Sequence, residues 1–144
     1  MNSILHDQQH LVMIGSLLLI NQLPRTPSTG MNIAAEFEAA ILDHQAGRLS
    51  DAERVYSNIL AIKKDHKGAL LHLGLIKHQM GQDLLAVDLI GQAIKASPKY
   101  AEAHYNLGTI QNSLGNLRMA AQSLRQAAII NKKHVGAIYN LAGV

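Results

Sequence analysis

The feature that most constrains this chain is that it repeats itself every 34 residues. With Ile33, Lys67, Ala101 and Val135 as first positions, three copies are complete and a fourth runs for ten residues to Val144. Position 8 is Ala40, Gly74, Gly108 and Ala142, position 15 is Gly47, Gly81 and Gly115, and position 20 is Ala52, Ala86 and Ala120. Position 27 is Ile59, Ala93 and Ala127, and proline occupies position 32 only as Pro98. A chain with such a period is expected to stack copies of one small unit.

The unit reads as a helical hairpin. Positions 1 to 14 carry apolar residues at helical spacing, and the glycine at position 15 is suited to the left-handed conformation that closes a helix. A polar turn follows, then a second helix from about position 18. In the first copy Ser50 and Glu53 have the spacing of a capping box at that start. An interior helical glycine costs about 1 kcal/mol against alanine. Gly74 and Gly108 in the same register therefore predict close helix contact, with the alanines at position 20 facing them. The apolar residues are mainly Leu, Ile and Ala, with one Phe, four Tyr and no Trp, which favours helix packing over sheet.

These residues resemble the tetratricopeptide repeat (TPR) family over roughly residues 33 to 144. The resemblance implies an all-α, right-handed α-solenoid of about three and a half antiparallel helix pairs. The units are 33–66, 67–100, 101–134 and a truncated 135–144, preceded by a leader, 1–32, with an apolar segment and a Pro-containing linker. The chain departs from the family pattern at position 4, which lacks an aromatic, and at position 11, which holds Asp43, Lys77 and Gln111 instead of Tyr. A related 35-residue repeat family reads RNA, but the 34-residue period and the glycine–alanine register argue against it.

In the family the first helices line a concave groove. At 100° per residue, positions 4, 7, 8 and 11 share the packing face and positions 2, 6, 9 and 13 the opposite one. The candidate peptide-binding residues are therefore His72, Asn106 and Asn140 at position 6, with Glu102, Thr109, Gln45, Gln79 and Ser113 around them. Asn offers donors and an acceptor, which suits a peptide backbone. The Asn106–Asn140 file resembles the asparagine ladder in the repeats preceding O-GlcNAc-transferase-type catalytic domains. Against this stands the plainer reading that both are solvated helix residues. The basic clamp by which some family members hold chaperone C-termini needs Lys and Arg at concave positions that carry neither here, so that partner is not expected.

The rest of the sequence narrows the function by exclusion. There is no phosphate-binding loop, no H-E-x-x-H and no G-x-S-x-G, so no catalytic residues are assigned. There is no cysteine, which excludes disulfides and thiolate chemistry. Eight histidines show no ligand set: His6 and His10, or His44 and His78 at position 12, lack the partners that would complete a metal site. No metal or cofactor is expected. The formal charge is +3; residues 33–66 hold six acids against four bases, and 101–144 hold Glu102 against four bases. With few aromatics, that polarity gives nucleic-acid binding little support. The apolar run 11–20 is too short for a bilayer span of about 20 residues, lacks the basic flank of an export signal, and predicts no stable membrane insertion. The expected compartment is cytoplasmic, with export or membrane association through that run as the competing reading.

The leading expectation is a non-catalytic scaffold that holds a peptide or partner helix in its groove. The alternative is the N-terminal repeat region of an enzyme such as an O-GlcNAc-type glycosyltransferase. Ile138 and Leu141, at core positions with no second helix after them, predict self-association through that helix.

Overall fold

The computed structural model describes Gly30, residues 32–133, Gly136, Asn140 and Gly143. The leader with its apolar run, and Ile138 and Leu141 with the self-association read from them, lie outside the described residues. Among the described residues six helices have defined bounds: α1 (Ile33–Gln45), α2 (Leu49–Ile62), α3 (Lys67–Gln79), α4 (Asp83–Ala96), α5 (Ala101–Ser113) and α6 (Leu117–Ile130). First helices begin 34 residues apart, as do second helices, so every copy spans positions 1–13 and 17–30 of the repeat. Each helix packs against the next, and the first helices α1, α3 and α5 also touch one another in series. The result is an all-α solenoid.

The hairpin turn is the same in all three copies. Gly47, Gly81 and Gly115 have φ of 78°, 75° and 78°, which is costly for a residue with a Cβ. Each glycine N–H donates three residues back, and the following N–H donates five residues back: Arg48 to Asp43, Gln82 to Lys77 and Asn116 to Gln111. This double closure satisfies carbonyls that the helix end would leave open. The second helices then start at position 17. Their N-caps are Arg48, Gln82 and Asn116, none with a side-chain cap bond. The Ser50–Glu53 capping box expected from spacing is thus not formed: Leu49 already opens α2, and the Glu53 carboxylate pairs with Lys77 of α3 instead. Starts of the first helices differ: Asn32 Oδ1 accepts from the Ala35 N–H at 3.3 Å, and His66 Nδ1 accepts from the Ala69 N–H at 3.1 Å.

Within a copy the helices meet through small residues. A Cβ on Gly74 would lie 2.7 Å from Ile90 Cγ1 and 3.2 Å from the Ala86 carbonyl oxygen; one on Gly108 would lie 2.7 Å from Leu124 Cγ and 3.1 Å from the Ala120 carbonyl oxygen. Position 8 therefore seats on the backbone of position 20 and the side chain of position 24. Ala40, Ala52, Ala86, Ala93, Ala120 and Ala127 are all fully buried. Between copies, Tyr56 and Ile59 pack with Leu73 and Ile76, and Leu70, Leu71, Ile90 and Ala93 pack with Ala103 and Ile110. Positions 3 and 10 are part of this contact: Ala69, Ile76, Ala103 and Ile110 are at most 2% exposed, whereas Leu42, with no described helix before it, is 63% exposed.

Candidate functional site

The file of first helices presents a shared face, and its residues fall into two sets. Gln45, Gln79, Glu102, Thr109 and Ser113 are exposed on it. Position 6 is not: His72, Asn106 and Asn140 are each half-buried. The cause is the neighbouring first helix. Positions 5 and 12 of one copy lean against positions 2, 6 and 13 of the next. Phe37 lies over Gly68, where a Cβ would stand 2.5 Å from the ring, and Tyr105 lies over Gly136. His44 bonds Gln79 at 3.1 Å, and Asn140 donates to the Tyr105 hydroxyl at 3.4 Å.

His72 shows the consequence most clearly. Its ring stacks on Tyr56 (centroids 5.6 Å, 24° apart) and meets Phe37 and His44 edge-on at 5.6 and 5.9 Å. Burial, reinforced by neighbouring His44, pulls its pKa down to about 4, so the ring is neutral near pH 7. Spacing alone put His72 on an open face; the structure seats it in the joint between the first two copies. Tyr56 is fully buried beneath it, with its hydroxyl unpartnered among the described residues, and burial together with Asp43 pushes its pKa up to about 12. Asn106 turns its amide back to the Glu102 carbonyl oxygen at 2.9 Å, and Thr109 and Ser113 also bond backbone carbonyls of their own helix. Glu102 is exposed, and its carboxylate hydrogen-bonds Tyr100.

Position 11, where the family expects Tyr, is polar and differently partnered in each copy. Asp43, 5% exposed, takes Arg48 Nε at 3.0 Å and its terminal nitrogen at 2.7 Å. Lys77 reaches Glu53 in the preceding copy. Gln111, 3% exposed, accepts from Ser123 Oγ at 2.9 Å. At position 11 both buried side chains, Asp43 and Gln111, are therefore bonded, as burial requires. Position 4 is mixed: Leu70 is buried, whereas Glu36 and His104 are half-exposed, His104 bonding the Pro98 carbonyl oxygen at 2.9 Å. His78 pairs with Asp83, not with His44. Among the described residues no group of three His, Cys, Asp or Glu side chains is placed to hold a metal, and no helix is long and apolar enough to cross a membrane.

One more feature escaped the helical-face reasoning. Two adjoining concavities lie where the inter-repeat turns meet the first helices. One, of about 590 Å³, is lined by Phe37, Lys63, His66, Lys67, Gly68 and Tyr100 among others. The next, of about 540 Å³, shares Tyr100 and is lined by Glu102, Tyr105, Asn106 and Asn131. The signal in the sequence was the aromatic at position 5 paired with glycine at position 2 of the following copy.

Residues 101–134 match the family model described as a tetratricopeptide repeat. No curated protein matches the chain. Among solved structures, MamA superposes with a TM-score of 0.71 at 19% identity, covering 78% of this chain and 66% of MamA. The Thermobaculum terrenum O-GlcNAc transferase gives 0.70 at 29% identity over 77% of this chain and 22% of that one. The Yersinia enterocolitica type III secretion chaperone SycD, in complex with a peptide of the translocator YopD, gives 0.73 at 17% identity over 83% and 95%. This chain thus spans just under two thirds of MamA and about a fifth of the transferase.

Proposed function

The chain is a tetratricopeptide-repeat protein, and from that premise we propose that it is a non-catalytic scaffold holding a peptide segment or partner helix against its first helices. What supports this reading is that Gln45, Gln79, Glu102, Thr109 and Ser113 are all exposed on neighbouring first helices, at repeat positions that helical spacing puts on one face. Repeat arrays act by displaying such surfaces. SycD, of the same fold, is seen with a YopD peptide, and another structural relative, the first TPR domain of RPAP3, with an HSP90 peptide. The reading as the repeat region of an O-GlcNAc-type enzyme is less well supported. Where an asparagine ladder would continue, His72 is closed in by Phe37, His44 and Tyr56.

The test is site-directed photo-crosslinking in cells. A photoreactive residue at Thr109 or Ser113 should capture a discrete partner, and one at Gln122 or Gln126, exposed on α6, should not. Equal capture from both sets, or none from the first, would reject the groove.

A further inference from the structure

We infer that the edge formed by the inter-repeat turns is a docking site for an acidic, extended peptide segment. Seven of the chain's eight lysines converge on this edge. Lys63 and Lys64 lie in the turn between α2 and α3 and Lys67 opens α3, Lys95 lies in the last turn of α4, and Lys99 is in the turn between α4 and α5. Lys132 and Lys133 follow α6 directly. All seven are exposed, and among the described residues none is in an ion pair. The eighth, Lys77, lies in the body of the array and is paired with Glu53. Opposing acids near the edge are fewer: Glu36, Glu38, Asp65 and Glu102. A mild overall charge therefore hides a local surplus of unpaired cations, which attracts an acidic partner and steers its approach.

The same edge has space for side chains. The 590 Å³ concavity places Lys63 and Lys67 beside Phe37 and Tyr100. A third concavity, about 390 Å³, shares Asp65 and Ala96 with it and adds Lys64, Lys95 and Leu70. Concavities that set aromatic and aliphatic side chains beside lysines fit a segment that alternates acidic and apolar residues. Neighbouring helices lie about 8–10 Å apart and an extended chain advances about 3.3 Å per residue, so about three peptide residues would step from one turn to the next. Single-stranded nucleic acid fits less well, because its bases need free aromatic faces. The Phe37 ring is already in contact with Tyr56, His66 and His72, and Lys67 Nζ sits 5.0 Å from the Tyr100 ring centroid.

This inference rests on the scaffold reading but can fail separately from it. The probe is a fluorescein-labelled peptide of repeated Asp-Glu-Leu, followed by fluorescence anisotropy against the full chain, with repeated Asn-Gln-Leu as the neutral control. The acidic peptide should bind, and more weakly as salt rises. Lys63→Glu with Lys67→Glu should lower affinity about tenfold. Arg118→Glu with Arg125→Glu, an equal charge change on exposed α6 residues, should leave it within about twofold. A milder pair, Lys63→Gln with Lys67→Gln, checked for a wild-type circular dichroism melt, separates lost binding from lost folding. The inference is overturned if the acidic peptide fails to bind, if the neutral peptide binds as well, or if both charge-reversal pairs weaken binding equally. Tighter binding of a labelled oligothymidylate would also overturn it, in favour of nucleic acid. If any of these occurs while crosslinking at Thr109 still captures a partner, the groove reading stands and only the acidic edge falls.

Discussion

Replacing Gly108 by alanine sets helix propensity against packing, and the structure decides which wins. On propensity alone alanine gains about 1 kcal/mol in a helix interior. The new Cβ, however, would lie 2.7 Å from Leu124 Cγ and 3.1 Å from the Ala120 carbonyl oxygen. Carbon atoms rest about 3.5–4.0 Å apart, so roughly 1 Å of movement is needed. Leu124 and Ala120 are both fully buried. Cγ is the branch point of its side chain, so shifting it moves both methyl groups, and the carbonyl cannot move without the helix. That places the cost near the top of the overpacking range, about 3 kcal/mol, for a net loss of about 2 kcal/mol. At about 4 °C per kcal/mol, Tm falls by about 8 °C. Gly91→Ala is the control. Gly91 lies inside α4, and a Cβ there meets nothing within 4 Å, so alanine should raise Tm by about 2–4 °C. Thermal unfolding followed at 222 nm, with a guanidinium titration for the midpoint, reads both. If Gly108→Ala raises Tm as Gly91→Ala does, the tight contact between positions 8, 20 and 24 is not what holds the copy together.

Three further outcomes follow. Ser123→Ala leaves the buried Gln111 side chain without its donor and should cost about 1–3 kcal/mol in denaturant unfolding; adding Gln111→Leu should recover most of it, and no recovery would locate the effect elsewhere. The His72 pKa is depressed in the folded state, so its contribution to stability is complete above the ordinary value near 6.5 and is lost as pH falls toward about 4. Solvent over the open part of the ring trims this to about 2 kcal/mol at most, so His72→Gln should flatten the fall in Tm between pH 7 and 4.5. If the groove holds a peptide backbone at position 6, Asn106→Ala with Asn140→Ala should weaken a validated partner at least severalfold by calorimetry while leaving Tm within about 2 °C; unchanged affinity would reject a role for that pair.

The period carried the fold because it repeats what one copy cannot satisfy alone. Glycine at position 15 marks the only point of the hairpin where φ must be positive, and φ near 77° at Gly47, Gly81 and Gly115 is the backbone form of that mark. The site was less legible, and the reason is geometric. Projecting an isolated helix at 100° per residue separates packing from open faces for one neighbour, but a first helix inside the array, as α3 is, has three: its own second helix, the preceding copy and the following copy. Positions 3 and 10 consequently join the core, and position 6 turns toward the preceding first helix, which closes His72 under Phe37 and leaves Asn140 on the Tyr105 hydroxyl. The sequence did carry this information across copies. Phe37 is followed 31 residues later by Gly68 and Tyr105 by Gly136, a large ring each time opposite a missing Cβ, whereas the smaller Leu71 is followed by Glu102. Complementary size at a fixed offset, read between repeats and not within one, is what identifies position 5 as the residue that packs on position 2 of the next first helix.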